Sequence, residues 1–161
     1  MMGKCLFIID VQIGFINQHT QHIPSYVEGI QPSFEHIFCS RFVNAKNSPF
    51  REIMGWQKFE KGSDETALAF SPYNKAHVFD KYLYTCVSED VIQQLKRLQI
   101  NEVYLSGIDT DCCILKTAVD FFEKGIRPII LSKACASHGG VESHQAGLKV
   151  LERLIGHDQV Q

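Results

Sequence analysis

Short apolar runs alternate along the chain with longer segments of helical periodicity, and this alternation constrains the fold more than any other feature. Five runs have the character of buried strands: KCLFIID (4–10), HIFCSRF (36–42), KAHVFDK (75–81), EVYLSG (102–107) and RPIILS (127–132). Continuous apolar runs of this length are typical of strands that are covered on both faces. The sequence therefore predicts an α/β fold. We expect a doubly wound, mainly parallel five- or six-stranded sheet with helices on both faces and the first strand at its centre.

Three segments between and after these strands have helical patterns. Segment 88–100 begins with Ser88 as a candidate cap, followed by two acids in its first turn. Segment 109–125 ends at Gly125, where a glycine stop is typical of a helix C-terminus. Segment 142–156 has the same apolar periodicity. Each of these helices follows a strand, as a parallel sheet requires.

Length, charge and cysteine content limit the classes of protein that need consideration. The chain has 161 residues, which predicts one domain, 1–161. A formal net charge of -2 gives no field that would attract nucleic acid or an anionic membrane, so we expect neither partner. No window approaches the roughly 18 apolar residues of a membrane span. Six cysteines without a disulfide-framework spacing favour a reducing compartment, so we predict a cytoplasmic location.

Three chemically reactive residues lie where predicted strands end: Asp10, Lys81 and Cys113. Each has an ordinary structural interpretation, respectively as a helix cap, a solvated edge charge and a small packed side chain. In a doubly wound sheet, however, the carboxyl ends of the strands form the crevice where sites occur. There the three residues would supply a base, a cation and a thiol at a helix start, and backbone N–H groups would be available for an oxyanion.

The motifs around these residues resemble the isochorismatase-like cysteine hydrolases, a family that includes nicotinamidases and N-carbamoylsarcosine amidohydrolase. The matching segments are FIIDVQIGF (7–15), VFDKYLYT (78–85), SGIDTDCCILKTAVDFFEKG (106–125) and SKACASHGGVESH (132–144). In that family the nucleophile is the cysteine two places after the aspartate of the Thr-Asp pair. Counted from Asp111, this is Cys113, so that Cys112 occupies a variable position and is expected to point away from the site.

The resemblance implies a role for each site residue. Asp10 would accept and later donate a proton, and Lys81 would hold the pair and favour the thiolate of Cys113. The backbone N–H groups of Asp109 and Cys113 would form the oxyanion hole. The family also has a non-proline cis peptide at this turn, which here would join Ile108 to Asp109.

Other residues near these motifs are weaker candidates for contact with a substrate. They are Gln12, Phe15, Tyr82 and Tyr84. The long connection 43–72 carries Trp56, which would either cover the site or lie at a subunit contact. The stretch around it is equally well interpreted as a lid or as a packed surface loop.

The expected metal ligands of nicotinamidases are missing after the second strand. Metal-dependent members carry an Asp-x-His pattern there and a further histidine downstream, whereas no histidine or acid occurs here between Phe42 and Glu52. We therefore predict no metal and no cofactor, as in the shorter, metal-free hydrolases. Five histidines are interpreted as solvated or capping residues rather than metal ligands: His19, His22, His36, His138 and His144.

The leading interpretation is an enzyme that hydrolyses a small amide or a related C–N bond through a thioester on Cys113. The alternatives are a non-catalytic binding or scaffold protein that retains the fold, hydrolysis of a vinyl ether as in isochorismatases, and a redox role for the Cys112–Cys113 pair. A bridge between neighbouring cysteines in a helix would be strained, which disfavours the redox alternative. We expect a small-molecule substrate and a homo-oligomer, with a dimer favoured.

Overall fold

A five-stranded, entirely parallel sheet forms the centre of the computed structural model, which describes residues 3–161. Its strands are β1 (Cys5–Ile9), β2 (His36–Phe42), β3 (His77–Lys81), β4 (Glu102–Ile108) and β5 (Arg127–Ala136). Their order across the sheet is β3-β2-β1-β4-β5, and all four neighbouring pairs are parallel. The predicted α/β sheet with a central first strand is confirmed.

Helices connect the strands and cover both faces of the sheet. They are α1 (Ile23–Ile30), α2 (Pro49–Glu52), α3 (Glu89–Arg97), α4 (Leu115–Glu123) and α5 (Val141–Ile155). The predicted cap is present, since the Ser88 side chain accepts a hydrogen bond from the Val91 N–H at 3.2 Å. The helix predicted from residue 109 has a different beginning, because Thr110–Ile114 forms a π-helical turn before α4.

Alternate side chains of the central strand β1 supply the two halves of the apolar core. Phe7 points to one face, where it stacks on Phe38 with ring centroids 4.8 Å apart and meets Phe121 edge-on at 5.1 Å. Leu6 and Ile8 belong to the core cluster of the other face. Both faces of β1 are therefore buried, and its continuous apolar sequence follows from that burial.

Gly107 allows the carboxyl ends of β1 and β4 to approach each other closely. A Cβ atom at this position would lie 2.0 Å from the Ile9 carbonyl oxygen, and its φ is +122°. Since Asp10 follows β1 and the predicted nucleophile turn follows β4, this glycine determines how near the two segments come.

The cysteines are unpaired thiols, and no disulfide links them. Four of them lie in the sheet or against it: Cys5, Cys39, Cys86 and Cys135. Burial raises the pKa of each of these four thiols to about 12, which keeps them protonated. Among residues 3–161, no helix combines the length and the apolar character needed to cross a membrane.

Candidate active site

Asp10, Lys81 and Cys113 meet at the carboxyl edge of the sheet. The Lys81 Nζ atom lies 2.7 Å from Oδ2 of Asp10 and 3.5 Å from Sγ of Cys113. The Asp10 side chain has no exposed surface, and that of Lys81 is 5% exposed. These three residues come from the ends of β1, β3 and β4, so that the order of the strands brings them together.

The Lys81 ammonium is held in place by backbone groups as well as by the carboxylate. It donates to the Leu83 carbonyl at 2.7 Å and to the Tyr84 carbonyl at 2.9 Å. With the Cys113 sulfur at 3.5 Å, these partners account for the three donors of an ammonium group, and the Asp10 carboxylate pairs its charge. The Lys81 Nζ atom also lies 5.2 Å from the centroid of the Phe42 ring, a cation–π distance. Lys81 therefore has no free donor to offer a ligand.

The backbone of Asp10 is held in an uncommon conformation. Its φ is +52°, in the left-handed region that non-glycine residues rarely adopt. The carboxylate Oδ1 accepts a hydrogen bond from the Ser40 hydroxyl at 2.8 Å, and the Asp10 N–H donates to the Ser40 carbonyl at 3.2 Å. A conformation of this kind costs about 1–3 kcal/mol and persists where surrounding contacts fix it. Here the contacts with Ser40 on β2 aim the carboxylate at Lys81.

The surroundings raise both the pKa of Lys81 and the pKa of Cys113, so that Lys81 keeps its charge and Cys113 keeps its proton. Burial alone would lower the pKa of Lys81, but the Asp10 carboxylate beside it raises that pKa above its usual value. Burial raises the pKa of Cys113 well above its usual value; Lys81 opposes that effect and Asp10 adds to it. Lys81 alone would favour the thiolate, but burial outweighs its effect and the proton stays on the sulfur, so that the role of Lys81 in activating Cys113 stays a prediction.

Cys113 lies in the π-helical turn between β4 and α4. The Asp109 carbonyl accepts hydrogen bonds from the N–H groups of Cys112 at 3.2 Å and Ile114 at 3.1 Å. It accepts none from the N–H group of Cys113, which lies between them in the chain. Within residues 3–161, the Asp109 N–H donates to no protein group. The peptide bond between Ile108 and Asp109 is cis, as the family resemblance implies. The N–H groups of Asp109 and Cys113 are the predicted oxyanion donors.

Helix α5 packs against the π-helical turn Thr110–Ile114, the predicted nucleophile turn, and fixes its position. Gly147 faces this turn so closely that a Cβ atom there would lie 2.8 Å from both N and Cα of Asp111. The Thr110 hydroxyl and the His144 Nδ1 atom form a hydrogen bond of 2.7 Å between the same two elements. The interpretation of His144 as a solvated or capping residue is therefore wrong, because its ring bridges α5 and the turn.

A cavity of about 430 Å³ opens beside Cys113 and has mainly aromatic and apolar walls. Its lining residues are Phe15, Phe42, Phe50, Met54, Gly55, Trp56, Tyr84, Asp109, Cys112, Cys113 and His138. Segment 50–56 of the long connection forms one wall, with Phe50 buried and stacked edge-on against Tyr84 at 5.0 Å. That connection thus forms part of the cavity itself.

Three predictions about the lining are wrong. Gln12 is buried away from the cavity, because its side-chain amide binds both the N–H and the C=O of Phe42, at 2.8 and 2.9 Å. Tyr82 is 48% exposed and lies outside the lining, since the turn around the Lys81 ammonium directs Tyr84 inward instead. Cys112 does not point away, because the π-helical turn leaves it at the cavity wall beside Cys113.

His138, which follows β5, is a site residue that the sequence interpretation missed. Its backbone N–H donates to Asp109 Oδ1 at 2.7 Å, and its ring Nδ1 binds Oδ2 of the same carboxylate. The ring packs on Phe15 with centroids 5.3 Å apart. The hydrogen bond with Asp109 raises the pKa of His138, against the opposing effect of burial. The His138 side chain is 46% exposed, as its interpretation as a solvated histidine implies, but that interpretation did not include its two bonds to Asp109.

The residues present do not fit the metal site of metal-dependent nicotinamidases. At the end of β2, the amide nitrogen of Asn44 donates to the carbonyls of Trp56 and Lys58, and its oxygen accepts from Ser48. The one group of three ligand-type side chains within residues 3–161 is Asp109, Asp111 and Cys112. Both carboxylate oxygens of Asp109 are already occupied by His138.

Comparison with known proteins supports the same family as the motifs. Residues 4–158 match the Isochorismatase domain. The "Isochorismatase family protein 1B" of Dictyostelium discoideum is 28% identical over 157 residues, which cover 94% of this chain and 69% of that protein. An isochorismatase family protein of Bacillus subtilis is 39% identical over 67 residues, which are 42% of this chain and 36% of that protein.

Solved structures share the whole fold. The nicotinamidase PncA from Bacillus subtilis superposes with a TM-score of 0.83 at 22% identity, covering 99% of both chains. The N-carbamoylsarcosine amidase from Thermoplasma acidophilum has a TM-score of 0.75 at 21% identity, covering 93% of both chains. With a domain match along nearly its full length, the chain belongs to the isochorismatase family.

Proposed function

We propose that the protein is a cysteine hydrolase that cleaves a small amide, or a related C–N bond, through a thioester on Cys113. The observation that carries this proposal is that Cys113, which lines an open cavity, has the buried Asp10–Lys81 ion pair beside its sulfur. A scaffold or binding protein needs no buried ion pair beside a thiol. A crevice filled by side chains would have favoured that alternative, and this one has about 430 Å³ of free space.

In the first half of the reaction, Sγ of Cys113 attacks the carbonyl carbon of the amide while its proton passes to Asp10. The developing oxyanion accepts hydrogen bonds from the N–H groups of Asp109 and Cys113. The C–N bond then breaks, and protonated Asp10 gives its proton to the leaving nitrogen. The products of this half are a free amine or ammonia and the thioester.

In the second half, water attacks the thioester carbonyl and gives a proton to Asp10. The C–S bond breaks, the acid is released, and the proton of Asp10 returns to the sulfur of Cys113. Each step moves one proton between Asp10 and a reacting atom, so that no metal or cofactor is needed. Lys81 remains charged throughout and stabilises whichever of its two neighbours is negative.

The cavity favours a small, planar substrate. Its volume is in the lower part of the range of about 300–1,000 Å³ that is typical of small-molecule sites. Phe15, Phe42 and Trp56 form a stacked group on its wall, with ring centroids 5.7 Å apart for Phe42 and Trp56. Two structural neighbours are named as amidases of small molecules, which supports amide rather than vinyl ether chemistry.

The experiment is a screen of small amides for release of ammonia or amine, with vinyl ethers in the same panel. We expect turnover of at least one amide and, under rapid quench, an acyl adduct on Cys113 in intact and peptide mass spectra. Cys113→Ala should lower kcat by about 10³-fold or more and abolish the adduct. Cys112→Ala is the matched control and should keep the adduct on Cys113.

General alkylation cannot replace this adduct. Cys113 is only 7% exposed, whereas Cys112 is half-buried and easier for a reagent to reach. Burial and the neighbouring charges of Asp111 and Asp109 raise the pKa of Cys112 to about 12. An acyl adduct on Cys112, or turnover that survives in Cys113→Ala, would overturn the proposal. Turnover of vinyl ethers without turnover of any amide would show that vinyl ethers, and not amides, are the substrate class.

A further inference from the structure

We propose that His138, positioned by Asp109, is a specificity-determining residue that donates a hydrogen bond from Nε2 to a carboxylate on the substrate. The preferred substrates would then be small, planar amides that carry a second, anionic group. This inference rests on the proposed amide hydrolysis, since it concerns the same cavity.

The first support is the direction of the imidazole. Nδ1 faces Oδ2 of Asp109, which is 7% exposed, and Nε2 lies on the opposite edge of the ring. Within residues 3–161, Nε2 has no hydrogen-bond partner, while the ring lines the cavity and its side chain is 46% exposed. Because the Asp109 carboxylate keeps a proton on Nδ1, the imidazole gains or loses its second proton at Nε2. Nε2 is therefore a donor in the charged ring and an acceptor in the neutral ring.

The second support is the lack of a competing donor of equal strength. Among the charged side chains, only Asp109 and His138 belong to the cavity lining. Lys81 donates to two carbonyl groups and to the Cys113 sulfur, and its charge is paired with Asp10. Both oxygens of Asp109 accept from His138, which pairs the charge of that carboxylate. A charge-assisted bond from the imidazolium is therefore the strongest polar interaction that the cavity can offer a ligand.

The third support is the set of charges around the ring. Asp109 and Asp111 favour the imidazolium, and Lys58, on the connection after α2, opposes it. The net effect raises the pKa of His138 above its usual value. Below this pKa, Nε2 is a charged donor; above it, Nε2 is an acceptor that would repel a carboxylate. Affinity for an anionic ligand should hence be high at low pH and fall as pH rises through the pKa of His138.

The test compares two ligands that differ in one group, benzamide and 3-carbamoylbenzoate. Binding is measured by calorimetry on the Cys113→Ala protein, so that turnover is not required. We expect 3-carbamoylbenzoate to bind about tenfold more tightly than benzamide near pH 6. This ratio should approach one near pH 9, well above the usual His pKa of about 6.5.

Two variants separate recognition from a structural effect. In the Cys113→Ala background, His138→Gln should bring the ratio of the two affinities to about one at both pH values. Asp109→Asn should shift the midpoint of its pH dependence downward, because the carboxylate that stabilises the imidazolium is lost. His157→Gln is the matched control, since this exposed histidine lies after α5 and outside the cavity lining, and it should keep the ratio.

Equal or tighter binding of benzamide near pH 6 would overturn the inference. So would a ratio that survives in His138→Gln, or a pH midpoint that is unchanged in Asp109→Asn. Failure of the proposed function is a separate result, because it would appear as the absence of turnover and of any Cys113 adduct in the wild-type protein, whichever ligand binds.

Discussion

The buried Asp10–Lys81 pair should be strongly coupled, and a double-mutant cycle can measure that coupling. Lys81→Met removes the cation and leaves a carboxylate that has no exposed surface. Asp10→Asn leaves an ammonium that is 5% exposed. Removing one partner of a buried ion pair typically costs about 3–5 kcal/mol, because the remaining charge is desolvated and uncompensated. The double variant buries neither charge and should lose about as much as one single variant, or less.

The expected coupling energy is therefore about 3 kcal/mol or more, obtained from urea unfolding of the four proteins at neutral pH. Asparagine is the appropriate replacement at position 10, because it tolerates the left-handed φ of +52° better than alanine and can retain the hydrogen bond from Ser40. All three variants should lack hydrolytic activity, including a stable double variant.

A second ion pair supplies the matched control. Arg41 and Asp80 lie on the neighbouring strands β2 and β3, with 2.8 Å between Nη2 and Oδ1 and side chains that are 41% and 28% exposed. The cycle with Arg41→Met and Asp80→Asn should give about 0.2–1 kcal/mol, as solvent-exposed pairs do. If the coupling at Asp10–Lys81 were as small as this, the argument that desolvation makes the two charges interdependent would be refuted.

Two further comparisons test how the site is positioned. Gly147→Ala should lower kcat through displacement of the nucleophile turn, since the new Cβ would lie 2.8 Å from the backbone of Asp111. Gly29→Ala in α1 is the control, because its Cβ would enter open space; it should leave kcat unchanged and the melting temperature equal or higher. Equal kcat values for the two variants would contradict the close packing at Gly147. Trp56→Ala should raise KM for an aromatic amide by about tenfold through loss of a cavity wall, while Tyr82→Ala should change KM little; the reverse order would contradict the assignment of the lining.

The residues at strand ends were predictable because sequence order and strand order fix their position. Asp10 directly follows a run that is too apolar to be anything but a central strand, and Cys113 lies at the start of the helix region after another such run. Their mutual approach follows from the parallel topology, in which all carboxyl ends meet at one edge. The family motif was needed to choose Cys113 rather than Cys112 and to give all three residues a role, since each of them also has an ordinary structural interpretation.

Residues beyond the strand ends were not predictable in the same way. The alternation of side chains ends with the strand, and the direction of Tyr82 or Tyr84 depends on how their carbonyl groups wrap the Lys81 ammonium. His138 was missed because its partner, Asp109, is separated from it by 29 positions in the chain. An acid directly after β4 and a histidine two residues after its parallel neighbour β5 are a signal that could have indicated this pair.

The arrangement of the Asp10–Lys81–Cys113 site explains why the thiol can be neutral at rest and still act as a nucleophile in the proposed reaction. In the proposed reaction the base is the Asp10 carboxylate, which lies 2.7 Å from the Lys81 Nζ atom. When the proton of the thiol passes to Asp10, the charge moves to a sulfur that is 3.5 Å from the same nitrogen. The cation keeps a negative partner on either side of the transfer, and the total charge of the three groups is unchanged. Because Lys81 is also bound to two carbonyl groups, it need not move, so that the site avoids the cost of reorganising a buried charge during the step.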